Sequence, residues 1–358
     1  MIRVVLAEDS ETCRELLTAV LESDGELRIV GHAPDGEAAV SLTDSLRPDV
    51  VVMDAHMPVM DGFVATRNIM LRCPTPIVIV SATMDVAAVN SSMRALKAGA
   101  LTLLPKPISP HAEDFDSLVS QFVNTIRAMA DVKVVRRFDP QPMLASPLPP
   151  PSSGLDPFEN RTRVRVIGIG ASTGGPAALQ RIFAALPRRM PVPVLVVQHI
   201  APGFVDGLCS WLDSVTDRPV KVAEHGEDLQ PGVVYFAPDA CHLAVSRVMT
   251  VDLGHRTPVG GFLPSANILF ASLGEVFGAA AVGLVLTGMG SDGVDGLRAL
   301  RRTGATVIAQ DEATSVVFGM PKAAVDAGLA SSVLPLPQIA PRLVQLSRAN
   351  GMRERGST

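Results

Sequence analysis

Val164-Arg165-Val166-Ile167-Gly168-Ile169-Gly170-Ala171-Ser172-Thr173-Gly174-Gly175-Pro176 is the stretch that decides how this chain reads. An apolar run, Val164 to Ile169, enters a glycine-rich turn, and a helix-like segment, Pro176 to Leu186, follows. A strand, a tight turn and a helix in that order place one serine hydroxyl at the end of a sheet. Glycine suits the turn because it bends sharply and leaves room for an incoming group. Two more reactive side chains follow apolar runs in the same way: His199 after Val194–Gln198, and Asp292 shortly after Ala281–Thr287.

Outward from this stretch, the C-terminal half alternates strand and helix. Its strand candidates are Val164–Ile169, Val194–Gln198, Val233–Ala237, Leu243–Val245, Ala281–Thr287 and Thr306–Ala309. The pattern predicts an α/β sandwich on a mostly parallel sheet. The N-terminal third alternates as well. Apolar runs at Val4–Ala7, Ile29–Gly31, Val50–Met53, Ile77–Val80 and Leu101–Leu104 are separated by helix-like stretches near Cys13–Glu22, Glu37–Leu46, Gly62–Met70, Val86–Lys97 and Phe115–Met129. That is a (βα)5 unit with a parallel sheet covered on both faces. Between the halves, Pro140 to Pro157 is rich in proline and serine and poor in charge. It cannot build a core and reads as a semi-rigid linker. The expected division is residues 1–130, a linker over 131–160, and 161–350.

The bulk properties fit two soluble domains. The chain has 358 residues, 47% hydrophobic and 19% charged, enough for two separate cores. No uninterrupted apolar run reaches the length of a membrane helix, and the N-terminus lacks a signal-peptide pattern. A net charge of −5 argues against general affinity for nucleic acid, and Arg298, Arg301 and Arg302 form only a small basic cluster. Cys13, Cys73, Cys209 and Cys241 show no CxxC spacing and read as buried thiols of a reducing compartment. A cytoplasmic protein without membrane insertion is expected.

In a parallel sheet, ligands gather outside the carboxyl ends of the strands. In the N-terminal unit those ends carry Glu8-Asp9, Asp54, Ser81 and Lys106-Pro107. Carboxylates converging on one crevice need a cation, and oxygen ligands of this kind suit Mg²⁺. A nucleophilic carboxylate, a divalent ion, an ammonium and a hydroxyl are what the formation of an aspartyl phosphate requires.

In the C-terminal unit, Ser172 needs a base to become a nucleophile, and His199 is the candidate. The imidazole needs an orienting carboxylate, and Asp292 is the candidate, although taken alone it could equally cap the helix that starts near Gly293. The backbone N–H groups of Thr173 and Met289, in glycine-rich turns, are candidates for an oxyanion site. No cofactor is needed for such a hydrolysis. The chain order Ser…His…Asp differs from that of the α/β-hydrolases and of the two serine-protease types. Gly168-x-Gly170 also hints at a dinucleotide fingerprint, but position 173 is threonine and the expected acid after the next strand is missing.

These residues carry two resemblances. Asp54-Ala55-His56-Met57-Pro58-Val59-Met60-Asp61-Gly62 with Lys106-Pro107 resembles a response-regulator receiver domain. This implies phosphorylation of Asp54 by a histidine kinase, with Mg²⁺ held by Asp9, Asp54 and the backbone carbonyl of His56. Glu8 stands where aspartate is more usual, and Leu103 where an aromatic residue is usual, so a switch through that aromatic is not expected. The second half resembles the catalytic domain of the chemotaxis protein-glutamate methylesterases/protein-glutamine glutaminases. The matching pieces are Gly168 to Pro176, Val197-Gln198-His199, Pro231 to Pro238 with His242, Leu286 to Gly293, and Ala309 to Pro321.

The second resemblance implies Ser172 as nucleophile, His199 as general acid/base, Asp292 as orienting acid, and Thr173 and Met289 at the oxyanion site. The implied reaction is hydrolysis of glutamate γ-methyl esters on chemoreceptor cytoplasmic helices under control of the receiver; deamidation of glutamines is left open. Pro264-Ser265-Ala266-Asn267 matches a segment that usually carries aspartate where Asn267 stands, a change expected not to touch the triad. The alternative is a non-enzymatic phosphate sink or adaptor in a two-component pathway.

Overall fold

The computed structural model describes residues 1–81, 100, 102–107, 115–130, 132 and 163–348. The helix expected over Val86–Lys97, the proline-rich segment and the side chain of Leu103 lie outside the described residues. The chain forms two compact units.

The first unit runs β1 (Ile2–Ala7), α1 (Glu11–Glu22), β2 (Leu27–Ala33), α2 (Gly36–Leu46), β3 (Val50–Asp54), α3 (Gly62–Arg72), β4 (Ile77–Ser81), β5 (Thr102–Pro105) and α4 (Phe115–Ala130). Its five strands are parallel, in the order β2-β1-β3-β4-β5. Every residue of β3 and β4 is buried, as strands covered on both faces require. The order reverses between β1 and β3, so their carboxyl ends, Ala7 and Asp54, flank one crevice. Asp61 fixes the entry to α3 by accepting from the N–H groups of Phe63 and Val64 (3.0 and 2.7 Å).

The second unit contains β6 (Val166–Ala171), α5 (Gly175–Ala185), β7 (Val194–Gln198), α6 (Val205–Val215), β8 (Val220–Val222), β9 (Val234–Phe236), β10 (Ala244–Val245), β11 (Val251–Asp252), α7 (Ala266–Phe277), β12 (Ala281–Val285), α8 (Val294–Arg302), β13 (Thr306–Gln310), α9 (Met320–Asp326), β14 (Ser332–Leu334) and α10 (Leu336–Arg348). Seven strands make one parallel sheet in the order β14-β13-β12-β6-β7-β9-β8. The strand expected near Leu243–Val245 does not join it: β10 pairs antiparallel with β11 as a separate ribbon.

Successive strand residues feed opposite cores. Ile167, Ile169, Val194, Val196, Val282 and Leu284 pack with Leu179, Ile182, Phe183 and Leu343 on one face. Val166, Leu195, Val197 and Val285 pack with Leu269, Phe270, Leu273 and Leu297 on the other. This two-residue period is that of a strand between two layers. Gly168 falls on the α7 face, where an added Cβ would lie 2.4 Å from Leu273 Cδ1. Close helix packing accounts for the Gly168-x-Gly170 pattern without a dinucleotide. Of the four cysteines, Cys73, Cys209 and Cys241 are buried but Cys13 is only half-buried, and all are free thiols. The exception follows from the position of Cys13 on the first turn of α1, whose buried face is Leu17, Val20 and Leu21.

Candidate active site and receiver pocket

In the second sheet, β6 leads to β7 on one side and lies beside β12 on the other. This is the switch point at which parallel sheets open a crevice. Ser172 follows the last residue of β6, His199 the last residue of β7, and Asp292 lies in the loop after β12. Hydrogen bonds lace these three turns together. His199 N donates to Ala171 O (2.8 Å) and Ser172 N to Thr287 O (3.1 Å). Gln198 Nε2 donates to the carbonyls of both Ser172 (2.8 Å) and His199 (2.9 Å), so one buried amide holds both reactive residues. Gly174 makes the turn possible: its φ is +80°, and a Cβ there would lie 2.6 Å from Val316 Cβ.

His199 Nε2 lies 2.9 Å from Asp292 Oδ2. Its other ring nitrogen, Nδ1, is buried and without a partner. The ring of Phe262 stacks on the imidazole at 4.6 Å and 14°. A cleft of about 350 Å³ opens beside Asp292, lined by Phe262, Asn267, Ser291, Asp292 and Asp295 among others.

Asp292 is buried and saturated with donors. Oδ2 accepts from His199 and from Ala266 N (2.6 Å). Oδ1 accepts from Ser265 Oγ (2.6 Å), Asn267 Nδ2 (2.9 Å) and, more weakly, Asn267 N (3.4 Å). Ala266 and Asn267 open α7, so the carboxylate sits at the positive end of a helix. Burial pushes the carboxyl up, but the hydrogen bonds from His199 and Ser265, the charge of the imidazole and the Ala266 N–H outweigh it and hold the group below the usual range. The helix after Gly293 gains no side-chain cap from Asp292; the acid serves the start of α7 instead. His242 completes the support. Its Nδ1 accepts from Ser265 N (3.0 Å) and its Nε2 donates to Thr257 O (2.8 Å), which fixes one tautomer.

The expectation that Asn267 would not touch the triad is therefore corrected: its side chain bonds Asp292 directly. Phe262, Ser265 and Gln198 are further contributors that sequence reasoning did not assign. Thr173 and Met289 are half-buried in the flanking turns, and among the described residues nothing accepts their backbone N–H groups. Thr287 Oγ1 donates to Thr173 O (2.9 Å) and accepts from Val317 N (2.9 Å), tying the first turn to the segment after β13.

In the first unit, oxygens of Glu8, Asp9 and Asp54 all lie within 4.8 Å of one another. Lys106 Nζ reaches Glu8 Oε2 at 2.7 Å and Asp54 Oδ2 at 3.0 Å. Its backbone N–H donates to the carbonyl of Ser81 (2.9 Å), which ends β4 beside it. Burial raises the Glu8 and Asp54 carboxyls above their ordinary values, against the pull of Lys106. Burial works against the Lys106 cation, but its bonds and charge contacts with Glu8 and Asp54 prevail and raise it. Three carboxylates against one ammonium leave an excess of negative charge. Asp9 is exposed, so an ion here could keep part of its water shell. An all-oxygen, partly hydrated site fits Mg²⁺.

A parallel α/β unit with a serine, a histidine and a buried carboxylate gathered at its switch point, in one chain with an acidic-pocket (βα)5 unit, is the architecture of a receiver-coupled serine hydrolase. The CheB methylesterase family model matches residues 167–343 and the response regulator receiver domain model residues 4–113. A protein-glutamate methylesterase/protein-glutamine glutaminase of Myxococcus xanthus is 47% identical over 350 residues, 98% of this chain and 98% of the relative. One of Anaeromyxobacter dehalogenans is 49% identical over 344 residues, 96% of this chain and 98% of the relative. The solved Thermotoga maritima CheB methylesterase catalytic domain is 37% identical, with a TM-score of 0.49, covering 52% of this chain and 100% of that chain. The chain belongs to the CheB family of protein-glutamate methylesterases/protein-glutamine glutaminases. Among the described residues, no helix is long and apolar enough to cross a membrane.

Proposed function

We propose that residues 161–350 hydrolyse glutamate γ-methyl esters on the cytoplasmic helices of chemoreceptors, that residues 1–130 are a receiver controlling this activity, and that 131–160 link the two in a cytoplasmic enzyme. The observation that carries the reading is the His199–Asp292 bond of 2.9 Å, with Asp292 buried among donors that keep it charged. A phosphate sink would have no use for such an acid.

The unpaired ring nitrogen, His199 Nδ1, takes the Ser172 proton as Oγ bonds the ester carbonyl carbon. The carbonyl oxygen becomes an oxyanion, for which the N–H groups of Thr173 and Met289 are the donors; one such donor lowers a barrier by about 3 kcal/mol. The imidazolium then returns its proton to the leaving methoxide as the C–O bond breaks, giving methanol and an acyl-serine. Water, deprotonated by the same nitrogen, attacks the acyl-serine; as the bond to Oγ breaks, the imidazolium returns its proton to Ser172 Oγ, releasing glutamate and restoring both residues. Glutamine enters the same route with ammonia as leaving group. Asp292 fixes the tautomer and balances the imidazolium charge.

In the receiver, Asp54 accepts the phosphoryl group from a histidine kinase, with Glu8, Ser81 and Lys106 around it. Asp9, Asp54 and the His56 carbonyl would hold Mg²⁺, which would offset phosphoryl charge. Methanol release from methylated receptor, with and without a small-molecule phosphodonor, tests the reading. Wild type should be stimulated, Asp54→Ala should not, and Ser172→Ala should release none. Release by Ser172→Ala would end the catalytic reading; an unstimulated wild type would end the regulatory one.

A further inference from the structure

Asn267 joins two structures through the two ends of one amide. Its Nδ2 donates to Asp292 Oδ1 at 2.9 Å. Its Oδ1 accepts from Gly296 N at 2.8 Å. Gly296 lies in the first turn of α8, whose N-cap, Gly293, offers no side chain to the free amides there. Asn267 supplies that missing acceptor from another helix. The contact is tight, since a Cβ on Gly296 would lie 2.3 Å from Asn267 O. The partners set the amide's direction: the carboxylate can only accept and the Gly296 N–H can only donate.

We propose that Asn267 is a positioning residue of the esterase, a neutral donor-acceptor that clamps Asp292 to α8 without placing a second negative charge beside it. This rests on the triad reading and deepens it. A carboxylate at 267 could still accept from Gly296 N, but it could donate to Asp292 only while protonated. Once both acids ionise, the added charge favours the imidazolium of His199 and delays release of the base. The ionisable groups facing this point are Asp292 and His199, His242 behind Ser265, and Asp295 across the cleft, which is paired with Arg298. At the far end of α7, Glu275 is paired with Arg247.

The test is the pH dependence of Ser172 labelling by a fluorophosphonate in the full-length protein, all samples carrying the same phosphodonor. Asn267→Asp should move the acid limb of the rate profile upward by about one pH unit while retaining activity on its alkaline side. Asn267→Leu, which removes both ends of the clamp, should slow labelling about tenfold across the profile. An Asn267→Asp limb coincident with wild type, or an Asn267→Leu rate equal to wild type, overturns the proposal; loss of folding in one variant leaves the other decisive. Ser172→Ala keeps the two readings apart. If it still labels, the triad assignment fails. If it does not label and the Asn267 variants behave as wild type, only the clamp fails.

Discussion

Asparagine in place of Asp292 should switch off His199 by giving it the wrong tautomer. The new amide has two placements. With its nitrogen in the Oδ1 position, it would oppose the two N–H donors of Asn267. With its nitrogen in the Oδ2 position, it opposes only Ala266 N and turns an N–H toward His199. The second placement costs one buried donor its partner, about 1–3 kcal/mol of stability, and wins. His199 Nε2 must then accept, so the ring proton moves to Nδ1. A nitrogen already carrying its proton cannot take one from Ser172. The analogous change of tautomer in serine proteases lowers kcat about 10⁴-fold, equal to roughly 5–6 kcal/mol of barrier. Methanol release gives the rate, ¹⁵N chemical shifts of the imidazole give the tautomer, and thermal unfolding gives the fold. Activity within tenfold of wild type, or an unchanged tautomer in a folded Asp292→Asn protein, would show that Asp292 does not set the tautomer on which His199 depends.

Two substitutions around Ser172 and His199 have equally definite outcomes. Phe262→Ala removes the ring stacked on His199; a contact of about 0.5–1.5 kcal/mol should cost up to about tenfold in kcat/KM with the fold intact, and an unchanged kcat/KM would contradict it. Gly174→Ala demands a positive φ of a residue with a Cβ and drives that Cβ into Val316. Unfolding should come earlier by about 1–3 kcal/mol, with kcat reduced, and unaltered kinetics would show that the turn does not fix Ser172.

In the receiver, a carboxyl raised by burial, as Asp54 is, costs stability when ionised. That cost appears as pH rises through the interval between the ordinary carboxylate value and the higher folded one. Asp54→Asn should therefore stabilise the receiver transition at neutral pH in metal-free buffer, on the order of 1 kcal/mol, and Mg²⁺ should stabilise wild type more than the variant. Calorimetry that finds the variant less stable contradicts this.

The fold was legible where apolar runs rich in Val and Ile stopped at a polar residue, Asp54, Ser81 or Gln198. β3, β4 and β7 end within a residue of where their apolar runs stop, because a strand buried on both faces leaves no ambiguity of face. The short strands β8 and β14 were not legible: three residues each, with partly exposed positions, give no period to read. The run at Leu243–Val245 misled because a buried antiparallel ribbon and a sheet strand share one composition.

At the site, Ser172, His199 and Asp292 stand at strand ends, where topology gives a rule for convergence. Phe262, Ser265 and Asn267 follow no such rule. They arrive on a loop and a helix start whose approach to Asp292 depends on α7 lying across glycine-bearing β6. Asn267 was visible only as a neutral residue in a place that favours an acid, and nothing local said that its amide would meet the triad.

Ser172 and His199 should act as one unit. A double-mutant cycle on methanol release measures this directly. Ser172→Ala, His199→Ala and the double variant should all fall to the same residual rate, since removing either leaves the other without a partner. Losses that add, with the double variant slower than each single one by the other's full factor, would show that the two side chains act independently.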